Sequence, residues 1–356
     1  DKTLDFKLEE SSVSISPVEV YGKTQSQQVR ESALSVNALD VKPVINSLNS
    51  LNELVNRASG VKIREEGGVG SDFDLSIHGL SGNSVRYFID GIPLDSKGSY
   101  VTLANLPVNL IDRVEIYKGV VPASLGTDAL GGAVNIITQA EKKSFMDASY
   151  SIGSFHTHRA NLNAQFMERH TGLVVRPAIG ISYSKNDYRM KDVQMRNETG
   201  DQFIYGNPKR FHDGYFSLLA QIEAGITGKF WADEFFVSAS YSKTDKELQT
   251  GSIQTKVYGM AERNSDAWNV SVRYNKYNFM TEGMTLKATL SHTWDHSITI
   301  DTAYRKYYWD GGYIVSQRNE IRGNEPSIRH YKRPLTIVRV NLDYQLDGHH
   351  GLNLNY

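Results

Sequence analysis

Strict alternation of apolar and polar positions dominates the second half of the chain. Between Thr336 and Leu346, the residues Val338, Val340, Leu342, Tyr344 and Leu346 share one face, opposite Arg339, Asn341, Asp343 and Gln345. The pattern recurs at 160–166, where Ala160, Leu162, Ala164 and Phe166 oppose Asn161, Asn163 and Gln165. It returns in Phe216-Leu218-Ala220-Ile222 against Ser217, Gln221 and Glu223, and in Trp268-Val270-Val272-Tyr274 against Asn269, Ser271, Arg273 and Asn275. A two-residue period puts alternate side chains on opposite faces of an extended strand, so each stretch predicts a long strand with one apolar face. The connections sort by parity: short turns near 168–172, 225–233, 281–283 and 347–351, and long polar loops at 186–213, 246–266 and 301–333. Only the connection at 153–156 breaks the rule. Short turns on one side and long loops on the other fit an outer-membrane barrel, whereas a soluble sandwich does not sort its loops this way.

The first 140 residues are patterned differently. Leu48, Leu51, Leu54 and Val55 lie at helical spacing within 46–58, before Gly60, and predict an amphipathic helix. A strand at 61–64, a glycine-rich loop at 65–71 and a strand at 73–78 follow, and another strand at 85–89 turns at Asp90-Gly91. Asp-Gly is a favoured hairpin turn because its backbone must visit positive φ. Residues 1–10 alternate and read as the last strand of something upstream. Residues 11–23 (SSVSISPVEVYGK) are Ser-rich, Pro-interrupted and extended, which on local grounds is a linker.

Composition narrows the classes. Lys+Arg number 39 against Asp+Glu 40, so no global basic footprint for nucleic acid exists. Mean hydropathy is −0.42 and no run of about 18 apolar residues occurs, which excludes a membrane-spanning helix but not a barrel, whose strands show lipid only half their residues. With no cysteine, disulfide, thiolate and Cys-based zinc chemistry are excluded. The chain opens at Asp1 without Met or signal peptide, and is read as a mature or excised piece.

The most specific stretch is 85–138, with VRYFIDGIPLD, then IDRVEIYKG and SLGTDALGGAVNIIT. It resembles the plug domain of TonB-dependent outer-membrane receptors, and the resemblance extends over nearly the whole chain as box, plug and early barrel strands, in a Bacteroidetes-like form. It implies a transmembrane β-barrel, 22-stranded and antiparallel in the family, with an α+β plug inside the lumen. About eight or nine strands fit between Phe145 and Tyr356, too few to enclose a plug of roughly a hundred residues, so the barrel here is incomplete. The expected division is 1–15 as the end of an upstream β-sandwich, 16–23 as TonB box and tether, 24–140 as plug, and 141–356 as the first part of the barrel.

The resemblance assigns roles to residues. Pro17, Val18, Glu19 and Val20 are the expected TonB box, an extended peptide that adds as a strand to TonB. Outward plug loops and barrel loops are expected to meet substrate through Arg64, Asp72, Asp95, Lys97, Tyr100, Tyr205, Tyr308 and Trp309. Locking of plug to barrel is expected at His78, Glu115 and Lys118, where His78-Gly79 and Lys118-Gly119 stand in place of the family's arginines; neither offers the bidentate contact of a guanidinium. The implied activity is TonB-dependent import of a scarce nutrient across the outer membrane, foremost a metal chelate such as siderophore-iron, haem or cobalamin. The alternative is oligosaccharide or peptide import with a surface lipoprotein, which the absence of long plug insertions disfavours; a soluble β-rich binding or adhesion module is the remote one. The implied partners are TonB with its inner-membrane motor, outer-membrane lipid and the ligand.

No Gly-x-Ser-x-Gly, His-Glu-x-x-His or phosphate loop occurs, so no enzyme and no resident cofactor are expected. No metal site is expected either. His156 and His158, about 6–7 Å apart on a strand, read as turn histidines; His292 and His296, about 13 Å apart, are too far to chelate one ion. Asp72 and Asp74 lack the loop chemistry of a calcium site.

Overall fold

The computed structural model describes residues 36–41, 51–122, 125–126, 129–139, 143–196, 202–323, 325–346 and 350–356. The expected TonB box at Pro17–Val20, the expected boundaries at residues 15, 23 and 140 and the start of the predicted helix lie outside them. The N-terminal domain runs β1 (Val36–Asp40), α1 (Leu51–Val55), β2 (Val61–Glu65), β3 (Phe73–Ile77), β4 (Val85–Ile89), β5 (Ile92–Pro93), β6 (Ile111–Lys118) and β7 (Gly132–Thr138). Its main sheet is ordered β1-β6-β7-β4-β5, with β4 and β7 parallel and the other pairs antiparallel. Strands β2 and β3 form a separate hairpin. Leu51, Val55, Leu75, Ile77, Val114, Ile116, Val134 and Ile136 make the core beneath them. The turn at Asp90-Gly91 has φ of 49° and 79°, the positive pair that the dipeptide foretells.

The second region is one nine-stranded antiparallel meander. Its strands are β8 (Phe145–Gly153), β9 (Thr157–Glu168), β10 (Leu173–Ser184), β13 (Tyr215–Thr227), β14 (Glu234–Glu247), β15 (Glu262–Tyr277), β16 (Met284–Asp301), β19 (Ser327–Gln345) and β20 (Gly351–Asn355). Two small hairpins, β11 (Val193–Arg196) with β12 (Phe203–Gly206) and β17 (Arg305–Tyr307) with β18 (Tyr313–Val315), sit inside long loops. The strands outrun the alternating stretches, so the later long loops shrink from 246–266 and 301–333 to 248–261 and 302–326. Alternation marks only the part of a strand with lipid on one side. Beyond it both faces meet polar surroundings, and the backbone ladder continues without the pattern.

The outward face is apolar and exposed over several strands: Ile179, Ile222, Val237, Val270, Leu290 and Val338 all lie open. An apolar surface of that extent needs a cover. Directly paired Tyr241, Trp268 and Trp294 form an aromatic row toward the long-loop end, with Tyr241 and Trp268 ring centroids 4.7 Å apart. Phe235 pairs with Tyr274 in a second row toward the short turns. Trp268 and Tyr274 are six positions apart, about 20 Å along the strand. Aromatic rows bounding an aliphatic band are the boundary markers of a lipid-facing barrel wall. The inward face is small and polar, with Ser238, Ser240, Ser242, Asn269, Ser271, Ser291 and Thr293 buried against the N-terminal domain.

Candidate functional site

Small hydroxyl and amide side chains on the wall let the N-terminal domain approach within hydrogen-bond distance, and a polar seam results. The segment 94–99 is its centre. Lys97 is buried at the middle of β13–β15, its ammonium 3.1 Å from Gln221, 3.4 Å from Ser240 and 3.5 Å from Asn269. Ser242 donates to the Lys97 carbonyl at 2.7 Å and Thr293 to the Ser96 carbonyl at 2.7 Å. Ser99 donates through its hydroxyl to Asp295. Burial pulls the Lys97 amine down to about 8, offset in part by Asp90 and Glu223.

A second knot lies toward the short turns. Arg273 on β15 pairs with Glu223 at 2.6 Å and reaches Asp90 at 3.7 Å. Glu223 also meets Arg176 at 3.5 Å, and both guanidiniums lie over the Phe236 ring. Asp90 is held by the Thr138 N–H at 2.9 Å and the Thr138 hydroxyl at 2.7 Å. Arg339 donates to the carbonyls of Gly91 and Leu125. Asn109 reaches Asp147 at 3.1 Å, and Asn163 donates to the Asn109 carbonyl at 2.8 Å.

The third contact is at the long-loop end. Asn186, itself at φ 50°, grips the glycine-rich loop with both atoms of its amide: Nδ2 donates to the Val69 carbonyl at 2.8 Å and Oδ1 accepts the Val69 N–H at 3.1 Å. Lys246 donates to the Gly70 carbonyl at 2.7 Å. Gly70 has φ +75° and its backbone lies on the Tyr215 ring, so a Cβ there would come within 2.1 Å of it. Gly70→Ala is expected to lift the loop off the rim at a cost of about 1–2 kcal/mol from the backbone alone. Faster hydrogen exchange at 66–71 with unchanged exchange in β6 and β7 is the readout; unaltered exchange at 66–71 counts against the contact.

Above this loop opens a cavity of about 1210 Å³ whose lining includes Lys185, Asp187, Arg189, Lys209, Arg210, Tyr215 and Trp309. Asp187 pairs with Lys209 at 2.8 Å, which lowers its pKa, and Arg210 pairs with Asp213 at 2.8 Å. Burial raises the Asp213 carboxyl, with Arg210 opposing the shift. Arg210 also lies over the Tyr188 ring at 5.5 Å. The loops forming the upper rim are tied by carboxylates. Asp301 accepts the N–H groups of Glu320, Ile321 and Arg322, and Glu320 accepts those of Gly259 at 2.7 Å and Met260 at 3.1 Å.

The structure separates the residues expected to meet substrate. Trp309 reaches the cavity, but it is 6 % exposed within a cluster with Val193, Val257 and Tyr307, and its indole N–H is spent on the Gln254 carbonyl at 3.0 Å. Tyr205 is exposed on β12, and Tyr308 is half-buried in the loop next to Trp309. Arg64 and Asp72 are exposed on the β2–β3 hairpin. The expectation that 94–100 faces outward gives way: Lys97 points into the wall at mid-height, Asp95 is exposed, and Tyr100 lies 5.7 Å beneath the Arg263 guanidinium. Among the expected locking residues, His78 is exposed at φ 50° and Lys118 is half-buried. Glu115 is buried, yet its partners Arg113, Tyr117 and Asn135 all belong to its own domain. The lock instead has the wall supplying guanidinium and the domain supplying Asp90 and carbonyls. Asp90-Gly91 looked like an ordinary turn because its partner Arg273 lies 183 positions away. His156, near Asp187 at 3.9 Å, and His158, bonded to Tyr150 at 2.7 Å, share no common point.

Comparison with known proteins agrees with this geometry. Residues 13–133 match the model of the TonB-dependent Receptor Plug Domain. The chain is 23 % identical over 266 residues to the vitamin B12 transporter BtuB of Vibrio vulnificus, covering 67 % of this chain and 43 % of that protein. In fold it matches a mutant of the ferric enterobactin receptor PfeA from Pseudomonas aeruginosa, with TM-score 0.66, 13 % identity, and coverage of 94 % of this chain and 50 % of that one. The copper transporter OprC matches at TM-score 0.63 and 13 % identity, covering 89 % and 44 %. The chain thus spans about half the length of the relatives it matches. Residues 13–133 are thus a plug domain of the TonB-dependent receptor kind, and the antiparallel wall that follows, with long loops at one end, has the fold of the receptor barrels it matches.

Proposed function

We propose that this chain belongs to an outer-membrane importer that takes up a metal chelate (siderophore-iron, haem or cobalamin) and is energised through TonB. The carrying observation is the layout: a plug held in the lumen by a seam of reversible polar contacts, below a cavity open to the long-loop side. Relatives described as transporters of vitamin B12 and copper and as a receptor for ferric enterobactin support a metal-bearing ligand. Arg189, Lys209 and Arg210, which line the cavity, are the proposed ligand contacts, together with Tyr205 and Tyr308 from the loops; Arg64 and Asp72 belong to the plug hairpin. Ligand binding precedes strand addition of TonB at Pro17–Val20, and the pull then breaks the seam. Nothing in this scheme requires a nucleotide, because the work comes from the inner-membrane proton gradient.

The test uses cells expressing the full-length parent, incubated with radiolabelled iron–siderophore, haem or cobalamin, with and without TonB. Binding without TonB and accumulation only with it is the expected result. Val18→Pro removes a strand donor and should abolish accumulation while leaving binding intact. Unchanged accumulation in that variant would put the box elsewhere, and failure to bind all three ligands would turn the reading toward oligosaccharide or peptide import with a surface lipoprotein.

A further inference from the structure

Two histidines that no role above uses meet on the outward face, just beyond the aromatic row. His296 on β16 and His330 on β19 stand diagonally across the ladder, since His296 pairs with Lys332 and Ile298 with His330. His296 Nε2 and His330 Nδ1 are 3.1 Å apart, and the ring planes are parallel to within 6° with centroids 5.4 Å apart. On the other side of His296, Asp266 Oδ1 lies 3.4 Å from Nδ1. Trp294, two residues toward the membrane centre on the same strand face, marks the lipid boundary. The pair therefore sits at the level of the outer lipid headgroups and faces away from the lumen.

We propose that His296 and His330 form a binding site for a divalent transition-metal ion of the imidazole-preferring class, Zn²⁺ or Cu²⁺, with Asp266 as the carboxylate that orients His296. The spacing suits it. Two nitrogens 3.1 Å apart, each at the usual metal–nitrogen distance of about 2.0–2.1 Å, subtend about 100° at the ion, close to tetrahedral. At present each nitrogen is aimed at the other, and one proton lies between them. Rotation of the exposed rings turns both lone pairs toward a shared point, and binding releases that proton. A carboxylate on the far nitrogen of a metal-bound imidazole fixes its tautomer and raises its basicity, which is the position Asp266 holds. Among the described residues no group of three or more metal-ligating side chains occurs, so water or another outside oxygen completes the coordination. His292, on the same face of β16, is not a ligand: its Nδ1 is bonded to the Thr336 hydroxyl at 2.7 Å and its ring packs on Trp294. The charged groups around the site are Lys332, directly opposite His296, and Lys243, directly opposite Asp266. Both repel a cation, yet each carries its charge on a long mobile stem.

The experiment is calorimetric titration of the full-length parent in detergent with Zn²⁺ alone, paired with Cu²⁺ spin resonance. One ion per chain and a copper spectrum with two nitrogen ligands are expected. His296→Ala and His330→Ala should each weaken binding at least tenfold, and Asp266→Asn should weaken it about 10–100-fold. Lys332→Gln should tighten it. Absence of saturable binding, or binding that survives His330→Ala, would overturn the proposal; neither outcome bears on the transport reading, because this face is turned from the lumen.

Discussion

Arg273→Ala is expected to unseat the plug hairpin at a cost of about 3–5 kcal/mol, the range for removing one partner of a buried ion pair. Three charges meet at this residue. The guanidinium holds Glu223 at 2.6 Å and Asp90 at 3.7 Å from two of its nitrogens, and it packs on Phe236. Its loss leaves Glu223 with Arg176 at 3.5 Å and takes from Asp90 its guanidinium partner, with the buried Lys97 ammonium the remaining cation that attracts both carboxylates. Glu223 is buried and has little access to water, whereas Asp90 is only partly covered. Arg273→Lys should recover only part of the loss, because a single ammonium does not serve two carboxylates as a planar fork does. Hydrogen exchange at 85–93 is the measurement. A large rise in the Ala variant, smaller in the Lys variant, is the expected order, and equal exchange in all three proteins would show that the seam does not depend on this knot.

Lys97 should make the seating of the plug depend on pH. In the unfolded chain its amine keeps its proton up to about 10.5; in the fold it does so only up to about 8, because burial outweighs the attraction of Asp90 and Glu223. The unfolded state therefore binds more protons between those two values, and stability rises with pH through that window. Below about pH 8 the charged amine is buried in full, and the difference of 2.5 units amounts to about 3 kcal/mol. Lys97→Met keeps the stem and removes the titration. Denaturant melts from pH 7 to 10.5 should show a rising stability for the parent and a flatter curve for the variant. Parallel curves would mean that Lys97 titrates in the fold as it does in water. Among the described residues, the amine's hydrogen-bond partners are neutral oxygens, those of Gln221, Ser240 and Asn269.

Much of the architecture was legible in the order of residues. The alternation at 336–346 or 268–274 has only one physical meaning in a strand with unlike faces, and the outward sets read from it, Val338 to Tyr344 and Trp268 to Tyr274, are those that line the lipid-facing side. The turn at Asp90-Gly91 and the strand at Val85–Ile89 were set by local backbone preference and fall where expected. The lengths of the outer strands were not legible, because hydrophobic period vanishes where both faces are wet while backbone pairing continues to Glu247 and Asp301.

What the sequence by itself determined was the barrel strands, the alternation of their faces, the parity of their loops and the plug motif, all of which arise from neighbours a few positions apart. What only the tertiary structure decided was which polar residues meet. Lys97 looked like a loop cation for substrate and is a buried anchor. Asp90 looked like a turn residue and takes part in the lock. His296 looked too far from its nearest histidine in sequence and finds another 34 positions on. Strand register sets these encounters, and register is the sum of backbone pairings along a whole sheet, so no local stretch of the chain records it.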